Sequence, residues 1–444
     1  MNSEDRSRPK LNIILLSGGS GKRLWPLSND IRSKAFLKLL DNGRGERESM
    51  IQRVTRQLKS AGFASDVTIV AHESQQEMIR SHIGKHIPII PEPAKRGTFT
   101  AIALAATYLH SVRKTDHEDH LCILPVDLFV QGPFYQLLRQ IPGVLERSQG
   151  EMVFIGTRPH FPSTQFGYIL PQKTEDSGYM RVSRFYEKPD TEKAAELIQE
   201  GALWNCGIFA FTLQFILDIL LENGLPIEYE DLLERYERLP ERNFEKEIAE
   251  KTNNAAVIAH DEEWNDLGGW ESLMDHMKES LIGPGELSAD CTNSQVINEL
   301  SLPIRVIGLN GVIVAASADG ILVADKKVSS RIKDMLGNDP DSPGYEEKSW
   351  GSRTVLDRHS TPDGPNSITS KLKVVAGHVL IVGKEEDSRC LWNKVWIILN
   401  GKGKLTLNRV QRLVSSGDVL RLPAGRSAIL HAFSDMELLE VKSR

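Results

Sequence analysis

Residues 17–26 read Ser-Gly-Gly-Ser-Gly-Lys-Arg-Leu-Trp-Pro and follow directly on the apolar run Leu11 to Leu16. A strand that empties into a glycine turn carrying two cations is suited to holding phosphate. Gly18, Gly19 and Gly21 permit positive φ, which turns successive N–H groups toward one point and makes an anion-binding concavity. Lys22 and Arg23 add full charge. Two common phosphate loops do not fit. Leu24 stands where a dinucleotide fingerprint needs Gly or Ala, and Arg23 stands where a P-loop needs Ser or Thr. Glycines alone would also suit an ordinary strand-to-helix turn. The Lys-Arg pair, the Trp25-Pro26 stop and a second basic cluster at Arg32, Lys34 and Lys38 favour phosphate binding.

The elements that must position this loop read as alternating strands and helices. Apolar runs at Leu11 to Leu16, Val67 to Ala71, Ile87 to Ile90, Leu121 to Val126 and Met152 to Ile155 are short and rich in Val and Ile, as buried parallel strands are. Between them, residues 49–58 place Met50, Val54 and Leu58 on one helical face, and 98–109 do the same with Ile102, Ala105, Ala106 and Leu109. The pattern predicts an α/β domain with a mostly parallel sheet. Ligands in such sheets lie beyond the carboxyl ends of the strands, where the glycine loop and Asp127 both fall. Farther on, 180–185 reads as a strand and 191–199 as a helix capped by Asp190 and closed by Gly201. Residues 215–251 are acidic and helical, and their charges read as a solvated face without chemistry.

Composition narrows the classes. The 444 residues predict two to four domains, and 40% hydrophobic content supports real cores. A net charge of −6 excludes a general nucleic-acid binder, whereas Leu11 to Leu40 carries five cations (Lys22, Arg23, Arg32, Lys34, Lys38) against Asp30 alone. That local field suits a small polyphosphate. Cys122, Cys206, Cys291 and Cys390 have no paired spacing for zinc or a redox dithiol, so they read as free thiols. The polar start and the absence of a long apolar span predict a protein of the cytoplasm without a membrane segment.

The stretch Leu15 to Leu40, with Gly-Gly-Ser-Gly-Lys-Arg-Leu-Trp-Pro-Leu-Ser and Ser-Lys-Ala-Phe-Leu-Lys-Leu, resembles the sugar-1-phosphate nucleotidyltransferases, most closely the mannose-1-phosphate guanylyltransferases. Leu124-Pro125-Val126-Asp127, Phe166-Gly167-Tyr168-Ile169, Tyr186-Glu187-Lys188-Pro189-Asp190, Trp204-Asn205-Cys206-Gly207-Ile208-Phe209 and Trp264-Asn265-Asp266-Leu267-Gly268-Gly269-Trp270 resemble later motifs of that family, in its order. The resemblance implies a Rossmann-like nucleotidyltransferase domain over residues 1–283. It also implies attack of a sugar-1-phosphate oxygen on the α-phosphorus of a nucleoside triphosphate, with loss of pyrophosphate. GTP and mannose 1-phosphate are the implied substrates. Arg23, Lys34 and Asp127 are the implied catalytic residues, and Asp127 and Asp266 the implied ligands of Mg²⁺. Gly18, Gly19, Gly21, Lys22, Glu92 and Thr98 would meet the nucleotide; Gly167, Glu187, Lys188 and Asn205 would meet the sugar phosphate. A strand-end Asp capping a helix and a turn Asp bonding its own backbone are the plainer readings of the two carboxylates.

Three departures from the family pattern stand out. Gly97 replaces a usual asparagine in Glu92-Pro93-Ala94-Lys95-Arg96-Gly97-Thr98, Ser33 replaces the proline before Lys34, and Cys206 falls where serine is common. Another hexose or heptose 1-phosphate, another base, or a silent regulator that binds a nucleotide sugar are the competing readings. A homo-oligomer is expected.

Beyond Gly283, short apolar strands near 294–297, 304–307, 312–315 and 321–324 and a helix near 328–336 resemble the family's small β-helix-like segment, over residues 284–337. Residues 338–349 read as a linker. Residues 350–444 resemble a cupin-like β-barrel of the kind that serves some relatives as a phosphomannose isomerase. Gly417, Pro423 and Gly425 fit its second motif, but Ala428 and Ala432 stand at its histidine and asparagine positions. Lys394 stands at the glutamate position of the first motif, and Lys384 to Arg389 lacks the histidine pair. A lysine repels a metal ion, so neither metal nor isomerase activity is expected there, and His378 and His431 read as ordinary histidines.

Overall fold

A computed structural model of the chain describes residues 9–19, 22–172, 178–261, 264–336, 343–359, 366–382 and 392–443. The chain divides into two compact units, one of Met1–Gly19, Lys38–Gln76 and Ile83–Gly268, the other of Ser20–Leu37, Glu77–His82 and Gly269–Arg444. Among the described residues no helix is long and apolar enough to cross a membrane.

The first unit is built on a nine-stranded sheet. Its strands in chain order are β1 (Leu11–Ser17), β2 (Val67–His72), β3 (Ile89–Glu92), β4 (His120–Pro125), β6 (Met152–Thr157), β7 (Gly167–Gln172), β8 (Met180–Glu187), β9 (Leu203–Thr212) and β10 (Ala255–His260), while β5 (Leu128–Val130) forms a separate ladder with β11 (Trp264–Asp266). The spatial order is β3-β2-β1-β4-β9-β6-β10-β8-β7. β1, β2, β3 and β4 are mutually parallel, as the apolar runs predict. From β9 onward the pairings turn antiparallel, except for parallel β6 and β10. The sheet is therefore parallel over one half and mixed over the other. β3 begins two residues later than its apolar run, with Pro91 tolerated because the strand lies at an edge.

Helices pack on this sheet where the periodicity places them. Met50–Ser60 is capped by Ser49, which accepts from Gln52 N while the Gln52 side chain accepts from Ser49 N. The helix Gly97–Thr107 is buried along nearly its whole length, which explains its alanine content: large side chains would not fit against β1 and the helix Leu213–Glu222. Thr191–Gln199 is capped by Asp190, whose Oδ1 accepts from Lys193 N at 2.8 Å. The acidic stretch is broken into Leu213–Glu222, Tyr229–Arg235 and a single wide turn, Glu245–Ala249.

The second unit opens with parallel strand coils. Leu281–Ile282, Gln295–Asn298 and Val312–Ser317 pair in parallel, as do Gly285–Leu287 and Ile304–Val306, and Gly320–Asp325 closes the sheet antiparallel. Val296, Val306 and Val314 form their core. A sandwich of a six-stranded and a four-stranded antiparallel sheet follows, around Trp396, Leu430 and Leu438. The stretch 338–349, read as a linker, is corrected in part: Tyr345–Lys348 is the first strand of the six-stranded sheet, and 337–342 lie outside the described residues.

The loop after the glycine turn belongs to this second unit. Arg32 is buried and makes a bidentate pair with Glu299 at 2.8 and 2.9 Å, its guanidinium 4.6 Å from the Tyr345 ring centre. Tyr345 donates to Glu347 at 3.1 Å, and the other Glu347 oxygen meets His82 Nε2 at 2.9 Å. Asn29 donates to Asp319 at 2.9 Å and Ser317 donates to Pro26 O at 2.6 Å. Arg32 is thereby removed from the basic cluster that the sequence suggested, because its charge is committed to a carboxylate in the strand coils.

Candidate active site

Two neighbouring strand ends deliver the carboxylates. β4 runs out at Pro125, and Val126 N donates to Leu16 O at 3.2 Å, so Asp127 leaves the sheet beside the end of β1. Gly18 and Gly19 leave from that same carboxyl edge. β11 lies antiparallel to β5 with Asp266 opposite Leu128, which sets Asp266 across from the residue next to Asp127. Both aspartates border one open cleft.

The other walls of that cleft are the residues expected to meet a sugar phosphate: Gly167, Glu187, Lys188 and Asn205. Gly167 opposes Glu187 in the β7–β8 ladder, and a Cβ there would come within 2.9 Å of both Glu187 Oε2 and the Phe185 ring. Glu187 ends β8, with its backbone N–H held by Glu250 Oε1 at 2.8 Å and its carboxylate paired with Lys188. Lys188 takes φ +51°, a left-handed conformation that costs about 1 kcal/mol for a side-chain-bearing residue. Pro189 disfavours a helical Lys188, and Asp190 starts the next helix, so the kink aims the lysine between two fixed elements. Asn205 sits where β9 loses register with β6; its Oδ1 accepts from Gly207 N at 3.1 Å, so the group it offers a ligand is its NH₂. Gly207 takes φ +74° with Pro125 in contact.

Gln165, Phe166, Trp264 and Glu245 also line the cleft; Phe166 and Trp264 fall in motifs that the sequence shows, but none of the four is given a role by the sequence. Phe166 stacks edge-on against Trp204 and Trp264, at 5.0 and 5.2 Å. The Trp264 indole N–H is buried without a partner among the described residues. Glu245 departs from the reading of the acidic stretch as a solvated face, because it is turned into the wall of this cleft. Burial, with the nearby Glu187 carboxylate adding to it, pushes the Glu245 carboxyl above the usual carboxylate range.

Thr98 and Glu92, expected at the nucleotide, are not part of this cleft. Thr98 accepts from Phe244 N at 2.8 Å and donates to Glu245 Oε2 at 3.2 Å. Glu92 is buried, accepts from Tyr236 at 2.7 Å and from Arg96 N at 3.4 Å, and burial raises its pKa. Both side chains hold the 236–245 segment in place. Gly97 serves the same purpose: at φ +82°, a Cβ would lie 2.2 Å from Arg242 O. Arg242 N donates to Arg96 O at 3.0 Å and Phe99 N to Arg242 O at 3.2 Å, an approach that only glycine allows.

The remaining expected residues divide between the units. Gly18 and Gly19 have nothing within 4 Å of a Cβ at either position, and Gly19 takes φ +126°. Gly21 lies outside the described residues. Lys22 and Arg23 occupy the turn Lys22–Leu24, and Lys34 the turn Lys34–Phe36, both in the second unit. Arg23 is exposed; Lys22 and Lys34 are half-buried.

The donor chemistry of Asp127 and Asp266 fits a magnesium ion, which needs only one or two protein carboxylates when phosphate oxygens complete its shell. Among the described residues no group of three or more His, Cys, Asp or Glu side chains gathers for a metal. The barrel does not fit one. Its inner face carries buried Lys394, Lys442 and Ala428, with Glu440 engaged by Trp396 Nε1 at 2.9 Å. His378 and His431 are exposed; the 384–389 stretch lies outside the described residues.

Residues 12–281 match the family model described as nucleotidyl transferase. Mannose-1-phosphate guanylyltransferase 2 of Escherichia coli O157:H7 is 26% identical, over 97% of this chain and 94% of its own. The alginate biosynthesis protein AlgA of Pseudomonas aeruginosa is 26% identical, over 97% and 93%. The crystal structure of a mannose-1-phosphate geranyltransferase from Thermus thermophilus superposes with a TM-score of 0.62 at 25% identity, covering 73% of this chain and 98% of that one.

Proposed function

We propose that this chain, which belongs to the nucleotidyl transferase family, transfers GMP from GTP to mannose 1-phosphate, releasing pyrophosphate and forming GDP-mannose. The observation that carries the reading is the single cleft that unites Asp127 and Asp266 with Gly167, Glu187, Lys188 and Asn205. The relatives named as mannose-1-phosphate guanylyltransferases support the choice of sugar and base.

Both reactants are polyanions. Two unit charges about 4 Å apart repel by roughly 1 kcal/mol in water and several-fold more in a shielded site. Lys188 neutralises the sugar phosphate, while Glu187 and the Asn205 NH₂ orient the ring through its hydroxyls and Gly167 leaves room for it. Arg23 and Lys34 act on the triphosphate. Phe166 and Trp264 provide an apolar wall that excludes water from one side. Mg²⁺, held by Asp127 and Asp266, supplies charge neutralisation at the phosphates when bound. The attacking oxygen is already ionised at neutral pH, so no side chain has to remove a proton, and the chain's task is positioning and charge stabilisation.

The test is pyrophosphate release by the purified chain with Mg²⁺, across the common nucleoside triphosphates and a panel of hexose and heptose 1-phosphates. GTP with mannose 1-phosphate should give the highest kcat/KM. No release with any pair would overturn the assignment.

A further inference from the structure

We infer that Glu245 is a specificity-determining residue of this cleft, taking a ring hydroxyl of the sugar that Glu187 does not take; this rests on the sugar-phosphate reading above. Glu245 lines the cleft together with Glu187, Lys188 and Asn205. Its position is built rather than incidental. Gly97 admits the Arg242 backbone, Arg242 is held by Glu247 and Asn223 at 2.9 Å each, and Thr98 fixes both the Phe244 N–H and Glu245 Oε2. Two segments distant in sequence, 97–98 and Asn223, thus converge on 242–247 to hold one carboxyl in place.

A structural role alone does not require that carboxyl. The Thr98 hydroxyl needs one acceptor, which a glutamine would supply equally. A carboxyl set in a partly buried wall near Glu187 opposes both desolvation and like charge, a combination usual at binding sites. After Thr98 is satisfied, the group still has lone pairs for a donor. A sugar ring presents several hydroxyls in fixed directions, and a site that hydrogen-bonds a particular hydroxyl rejects analogues lacking it far better than an apolar pocket rejects a size change. Two carboxyls, one fixed by β8 and one by the Thr98 anchor, give the cleft two separate acceptor directions.

The experiment uses the full chain with GTP, Mg²⁺, the preferred sugar 1-phosphate and its series of singly deoxygenated analogues. Glu245→Ala should raise KM for the sugar phosphate by about tenfold or more and leave KM for GTP within about twofold. It should abolish discrimination against one deoxy analogue only. Glu245→Gln, which keeps an acceptor for Thr98 and guards against a folding defect, should recover part of the loss. Equal shifts in both KM values, or an unchanged ranking of the deoxy analogues in both variants, would overturn the assignment. A wild-type chain that turns over no sugar 1-phosphate would remove the parent reading first and this inference with it.

Discussion

Gly167 and Glu187 face each other in an antiparallel ladder so closely that a Cβ on Gly167 would lie 2.9 Å from Glu187 Oε2. The glycine is thus a spatial condition on the glutamate's position. Gly167→Ala should push the carboxylate or Phe185 aside and raise KM for the sugar phosphate by about tenfold or more, since misplacement near 1 Å carries that cost or a larger one. KM for GTP should hold. Equal kinetics for variant and wild type would show that Glu187 does not work from this position.

Asp127→Asn and Asp266→Asn keep side-chain size and remove charge. Each should lower kcat by about a hundredfold or more and shift the Mg²⁺ dependence to higher concentration, while the thermal midpoint stays close to wild type. A variant with normal turnover and normal Mg²⁺ dependence would reduce that aspartate to a turn residue.

Arg32 tests whether the loop's anchorage matters to stability. Its pair with Glu299 is buried on the arginine side, 7% against 31% side-chain exposure, and removing one partner of a buried pair typically costs about 3 kcal/mol. Arg32→Ala should lose close to that amount in chemical denaturation. Arg32→Lys should recover little, because it can neither bridge both carboxylate oxygens nor place a planar, delocalised cation over the Tyr345 ring. Ending the chain after Leu336 should also lower stability, by taking Tyr345 from Arg32 and Glu347 from His82. Arg32→Ala with wild-type stability would mean that the pair contributes nothing net.

Glu92 provides a pH test. Burial raises its folded-state pKa even though Tyr236 donates to it, so the native state binds that proton more tightly than the unfolded chain does. Its contribution is full at low pH and is lost as pH rises through the raised value. Glu92→Gln cannot titrate. The stability difference between wild type and variant should therefore move against wild type as pH rises from the ordinary carboxylate range, followed by denaturation at each pH. Parallel profiles would contradict the burial of a titrating carboxyl.

Much of the sheet edge was legible because its signals are local. The apolar run before Gly18, the run before Asp127, and the cap Asp190 each state their structure within a few residues, and the six expected cleft residues of the sugar and metal side come together. What was not legible depends on distant partners. Arg32 looks like any cation in a basic stretch until Glu299 is placed beside it, 267 residues away. Glu245 lies in an acidic run whose periodicity is the same whether a given charge faces water or a cleft; only Gly97 and Thr98, contacting 242–245, decide it. Glycine at 97 was visible as a departure, but its cause is an approaching backbone that local sequence does not encode. Tyr345–Lys348 follows a stretch rich in Pro, Gly and Asp, so composition hid the start of a strand.

The central claim is that a sugar-phosphate oxygen displaces pyrophosphate from the α-phosphorus in this cleft, and an isotope experiment tests it most directly. Mannose 1-phosphate carrying heavy oxygen throughout its phosphate, incubated with GTP, Mg²⁺ and the chain, should yield GDP-mannose that keeps every labelled oxygen, beside unlabelled pyrophosphate. Label in inorganic phosphate or pyrophosphate, or no labelled nucleotide sugar at all, would contradict the account.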